Sequence, residues 1–119
     1  QLGATGRVFM ATKSESRVRE LLNDEDQNWE TEKNAIDNDE YIRQLERVRL
    51  SGYAYSIGEV EIDTSAVSVP IYDGLGNTAA AIAVRGPVTR LTEDSTKSIA
   101  VTAKTAAKAI SNELISTLK

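Results

Sequence analysis

The sequence predicts an α+β fold on three observations. Apolar residues recur at helical spacing through residue 50, alternate between Tyr53 and Arg85, and return to helical spacing after Thr92. Two alternating runs, 64–72 and 78–85, flank Asp73-Gly74-Leu75-Gly76-Asn77, a cluster of turn formers, which marks a β-hairpin. The closing helical pattern then extends from Glu93 for about 27 residues, roughly 40 Å. An antiparallel sheet flanked by helices, with a long C-terminal helix, satisfies all three.

The first helix is expected within residues 2–11, where a glycine-containing stretch leads into apolar residues sufficient for two turns, with Thr5 as its cap. Ser14 caps a second, amphipathic helix, since Val18, Leu21 and Leu22 fall on one face. The acidic stretch 23–40 has Trp29 as its largest apolar residue and no period. It reads as a loop with solvated charges and Trp29 packed beneath it. Asp37, with Glu40 three residues on, announces a third helix carrying Tyr41, Ile42, Leu45 and Val48, and Gly52 supplies its left-handed stop.

Tyr53, Tyr55 and Ile57 alternate with smaller residues, as a strand does, and the rings of Tyr41, Tyr53 and Tyr55 are expected in the core. Gly86-Pro87 should end the hairpin, because proline cannot donate to a ladder. Thr92 caps the last helix. Its stripe of Ile99, Ala103, Ala106, Ala107, Ile110, Leu114 and Leu118 should cover the sheet, and its alanines leave room for a partner helix.

Composition narrows the function. With 119 residues the chain fits one domain. It has no cysteine and no histidine, which removes disulfides, thiolate nucleophiles, imidazole chemistry and the usual zinc sites. No metal, cofactor or catalytic centre is expected. Glu59, Glu61 and Asp63 are carboxylates that an acid–base enzyme could use, but they lie in a polar turn region without the apolar burial that separates their pKa values. The net charge of -4 has the wrong sign for a nucleic-acid surface, and eight of the 18 acids, against Lys33 alone, fall between residues 23 and 40. No apolar run approaches the roughly 18 residues of a membrane span. The chain opens on Gln1 without a secretory pattern, so it reads as a piece of a longer cytoplasmic protein.

The hairpin's two faces differ. Val67, Val69 and Ile71 lie beside Ile82 and Val84, with Ser65 continuing the row, and this face needs a helix to cover it. Ala66 and Ser68, with Ala79, Ala81 and Ala83, give the other face little bulk. The space that remains can take a closely packed helix or a small ligand. Arg85 ends the small-residue row, where it can meet a carboxylate or phosphate or reach solvent.

Several ordered segments carry a resemblance. They are Gly-Ala-Thr-Gly-Arg-Val-Phe-Met-Ala at 3–11, Leu45-Glu46-Arg47-Val48-Arg49, Gly52-Tyr53-Ala54, Gly58-Glu59-Val60, Val69-Pro70-Ile71-Tyr72-Asp73 with Gly76, and Gly86-Pro87 with Arg90-Leu91-Thr92. Together they resemble the effector-binding domain of the IclR family of bacterial transcription regulators, over nearly the whole chain. The resemblance implies a GAF-like α+β domain with a small-molecule pocket, joined to an N-terminal winged helix-turn-helix that alone contacts DNA, and assembled as a homodimer or tetramer. Family members begin with strands ahead of the present start, so 1–119 is expected to be an effector domain incomplete on its N-terminal side.

Carried over by position, the resemblance places Gly3, Ala4, Thr64, Ser65, Ala66, Ala83 and Arg85 in the pocket, with Ser56 and Asp63 at its rim. Two positions depart from the family pattern: Asp63 stands where glycine is frequent, and Arg85 where a small or hydroxyl residue is frequent. An arginine there suits a small carboxylate effector, with Ser65, Thr64 or backbone N–H groups near Gly3 and Ala4 meeting its remaining lone pairs. The competing expectation is an oligomerisation module whose small-residue face is packed shut.

Overall fold

The computed structural model describes residues 3–23, 38–58 and 61–117. Its elements run α1 (Ala4–Met10), α2 (Glu15–Leu22), α3 (Asn38–Ser51), β1 (Ala54–Ile57), β2 (Thr64–Tyr72), β3 (Thr78–Pro87) and α4 (Glu93–Thr117). The expectations for Trp29, Asp37 and Leu118 lie outside the described residues.

The three strands form one antiparallel sheet with β2 in the centre. Val67 stands opposite Tyr55 and Val84, and Ala66 opposite Ser56 and Arg85, so the two faces divide along the sheet as alternation requires. Pro70 is tolerated in the central strand because β1 stops opposite Ser68, leaving β2 without a neighbour on that side at Pro70. The hairpin turn is held by Asp73, whose Oδ1 accepts from the N–H groups of Leu75 (2.8 Å) and Asn77 (3.0 Å). The hairpin ends at Gly86-Pro87 as expected from sequence, the two pairing with Ser65 and Thr64 as the last residues of β3.

Each face of the sheet has its own core. Helices α1, α2 and α3 bury Val8, Val18, Tyr41, Ile42 and Leu45 on the small-residue face, joined by Ala54, Ala66 and Ala81. On the other face α4 lays Ala103 and Ala107 on Val69 and Ile71. The stripe expected on α4 is rotated: Thr96, Ala100, Ala103 and Ala107 point inward, while Ala106 and Ile110 are exposed. Valine and isoleucine supply the bulk from the sheet, so the helix turns its smallest side chains toward them.

Capping follows the sequence at two helices and departs from it at one. Ser14 Oγ accepts from Arg17 N–H at 3.2 Å. Thr92 and Ser95 exchange bonds reciprocally, Thr92 N–H to Ser95 Oγ at 2.9 Å and Ser95 N–H to Thr92 Oγ1 at 3.3 Å. Thr5, by contrast, lies inside α1 and caps nothing; Gly3 is the N-cap, at φ 88°, where a side chain would be strained. Replacing Ser14 by alanine removes the one side-chain cap of α2, and a loss of about 1 kcal/mol is expected, measured by urea unfolding of the two proteins.

The strand at 54–57 forms, and Tyr41 is buried and Tyr53 packs against the valine-face core as expected, but Tyr55 does not go inside. Ala54 and Ser56 are buried, while Tyr55 is 37% and Ile57 43% exposed. The buried side of β1 faces α1, whose close approach admits only small side chains. Tyr55 instead reaches along the edge of α4, its hydroxyl donating to Glu93 Oε1 at 3.4 Å. Partial burial and then the Glu93 carboxylate push its pKa above the ordinary phenol value.

Candidate functional site

A cavity of about 230 Å³ opens where the N-terminal end of α1 meets the small-residue face of the sheet. It is built from four places. The chain entering α1 gives Gly3, Ala4 and Thr5; β1 gives Ser56; the segment into β2 gives Glu61, Thr64, Ser65 and Ala66; β3 gives Ala83 and Arg85. Residues 56, 66 and 85 come together because the register sets Ser56 and Arg85 on either side of Ala66.

The cavity exists because α1 covers only part of this face. Over Ser68 the helix sits tightly, with Thr5 Oγ1 donating to Ser68 Oγ at 3.2 Å and Ser68 fully buried. Farther along, Thr78 Oγ1 donates to Val8 C=O at 3.4 Å, and Ala81 packs against the α1 core. Both outcomes expected for a small-residue face therefore occur together. A helix fills it at Ser68 and Ala81, and space remains at Ala66 and Ala83.

Eight of the nine residues singled out from sequence line this cavity. The ninth, Asp63, does not: it is exposed, and its backbone carbonyl accepts from Val88 N–H at 2.9 Å, tying the loop to the end of the hairpin. Ser65 borders the cavity, yet strand alternation turns its side chain to the valine face, where Oγ is buried without a partner. It is therefore not placed to share a ligand with Arg85 through its hydroxyl.

Sequence reasoning missed two lining residues, Thr5 and Glu61. Thr5 was assigned to a cap, and only the packing of α1 on Ser68 shows otherwise. Glu61 is held by Thr64, whose N–H donates to its backbone carbonyl at 3.1 Å and whose Oγ1 donates to Oε2 at 3.3 Å. Arg85 is exposed, and among the described residues no hydrogen bond or ion pair engages its guanidinium. Neither Asp63 nor Glu61 pairs with it. The walls otherwise present hydroxyls and alanine methyls, so the site can bind and orient a small polar molecule. Among the described residues no cluster of acids could hold a metal ion.

The sequence profile described as bacterial transcriptional regulator IclR, C-terminal, matches residues 1–112. The chain belongs to that family. Among curated proteins, this IclR-type domain is 28% identical over 111 residues to the HTH-type transcriptional regulator KdgR of Dickeya chrysanthemi, covering 93% of this chain and 36% of that protein. It is 37% identical over 73 residues to the HTH-type transcriptional repressor AllR of Salmonella typhi, covering 61% of this chain and 27% of that one. The chain thus spans well under half the length of these relatives.

Solved structures agree on the fold. The IclR protein of Thermotoga maritima superposes with a TM-score of 0.84 at 28% identity, covering 95% of this chain and 46% of that one. The C-terminal domain of Escherichia coli KdgR gives 0.82 at 25% identity, covering 95% and 69%. The α+β architecture and the family expected from sequence are both found.

Proposed function

We propose that this IclR-family domain is a cytoplasmic small-molecule sensor whose effector site is the Arg85 cavity. The observation that carries the reading is the convergence of eight sequence-selected residues on one ligand-sized space beside α1. A metabolite held between α1 and the hairpin favours one arrangement of the domain or of its homodimer or tetramer, and so alters operator affinity by about 1–3 kcal/mol. DNA contact belongs to a part outside this chain, and the cavity binds a small carboxylate through Arg85 rather than turning over a substrate. Residues 1–119 form the larger part of the effector domain.

A thermal-shift screen of small organic acids, their amides and aromatic metabolites tests this. A true effector at 100 times its Kd adds about 2.7 kcal/mol of stability. A screen without any shift supports the competing reading, an oligomerisation module, which the closure of α1 over Ser68 favours.

The isolated chain is expected not to bind duplex DNA at physiological salt. Phosphate contacts dominate such affinity, and a net charge of -4 opposes them. Salt-sensitive, sequence-selective retention of duplex DNA by this chain in a mobility-shift assay would contradict the division of labour.

A further inference from the structure

We propose that the effector is zwitterionic: a small amino-carboxylate whose carboxylate meets Arg85 and whose ammonium meets Glu61. The inference rests on the sensor reading of the cavity and adds the second charge. Arg85 and Glu61 line the same space, one positive and one negative, and no ion pair joins them among the described residues. Arg85 stands opposite Ala66, which makes Thr64 its diagonal neighbour across the ladder, about 7–8 Å away. Glu61 is anchored on Thr64 through both backbone and side chain. The two charged side chains thus line one small cavity from neighbouring positions on the hairpin and the turn before it.

Charge complementarity selects among ligands of that size. A simple carboxylate satisfies Arg85 but faces the Glu61 carboxylate, and a simple amine has the reverse difficulty. An amino-carboxylate satisfies both ends. Thr64 already occupies Glu61 Oε2, and Oε1 has no protein partner among the described residues, so one oxygen remains to accept from an ammonium. The floor between the charges is uncharged: Ala66, Ala83, and the hydroxyls of Ser56 and Thr5.

Calorimetric titration of the native chain, Glu61→Gln and Arg85→Ala tests the proposal with three matched pairs: glycine and acetate, β-alanine and propionate, γ-aminobutyrate and butyrate. At least one amino acid should bind the native chain 10-fold or more tightly than its deamino counterpart. Glu61→Gln should erase that margin by weakening the amino acid and strengthening its deamino counterpart, since glutamine still accepts from Thr64 but no longer repels a carboxylate. Arg85→Ala should weaken both members of the pair. Glu61 is exposed, so thermal unfolding of Glu61→Gln should match the native chain. Carboxylates that bind through Arg85 as tightly as the amino acids, or a margin that survives Glu61→Gln, overturn the zwitterion and leave the sensor reading standing. No saturable binding by any of the six also overturns it, and the broader thermal screen then decides the sensor reading on its own.

Discussion

Arg85→Ala is expected to bind an anionic effector roughly 10- to 150-fold more weakly than the native chain, because a hydrogen bond to a charged group contributes about 1.5–3 kcal/mol. The fold should not register the change. Arg85 is exposed and engages no internal partner among the described residues, so its removal should alter stability by no more than about 0.5 kcal/mol. Its position explains the specificity of the loss. The register holds the base of the side chain beside Ala66, whose methyl group leaves the guanidinium free to present two parallel N–H donors toward the cavity. Titrating both proteins with one carboxylate and its amide separates charge recognition from general damage. The carboxylate should lose most of its affinity and the amide little. Equal losses for both, or none for either, remove Arg85 from the site.

Ala83→Leu is expected to lower effector affinity by more than 100-fold, since the added carbons project into the cavity that the ligand occupies. Ala83 sits opposite Ser68 on the hairpin, lines the open part of the small-residue face and is exposed to solvent. Extra bulk there has somewhere to go, so folding should lose at most about 1–3 kcal/mol, the range for mild overpacking. Thermal unfolding followed by circular dichroism gives the stability change, and calorimetry with the ligand found by screening gives the affinity. Unchanged affinity would place the effector elsewhere. Collapse of the fold would mean that α1 closes over Ala83 as firmly as it does over Ser68.

The hairpin and three cavity residues, Ala66, Ala83 and Arg85, were legible because they depend on strand alternation, a local property; Gly3, Ala4, Ser56, Thr64 and Ser65 followed only from the family resemblance. Once 64–72 and 78–85 are paired around the Asp73 turn, Ala66 and Arg85 must share a face with Ala83, whatever the helices do. What failed depended on which helix lies on which face. Tyr55 reads as core by composition, yet α1 approaches its strand so closely that Ala54 and Ser56 take the inside. On α4 the largest apolar residues suggest one face, and the bulk already present in Val69 and Ile71 selects another, about one residue around the helix. Glu61 and Asp63 are two residues apart in a turn, and no periodicity distinguishes them. The hydrogen bonds from Thr64 and Val88 decide which carboxylate faces the cavity.

The sheet separates the apolar interior into two bodies, and the cavity opens on only one of them. Local opening of a protein proceeds through cooperative units with their own free energies, and a bound molecule protects the units it touches. Occupancy of the cavity should therefore slow amide deuterium exchange in α1 and along β1, β2 and β3, which share its walls. The amides of α4, resting on the opposite face, feel the ligand through the strands, whose residues alternate between the two bodies: β2 through Val69 and Ile71, β3 through Ile82, and β1 through the Tyr55–Glu93 bond. The central strand, which lies under most of α4, is thus the main route by which an event at Gly3 can reach the long C-terminal helix.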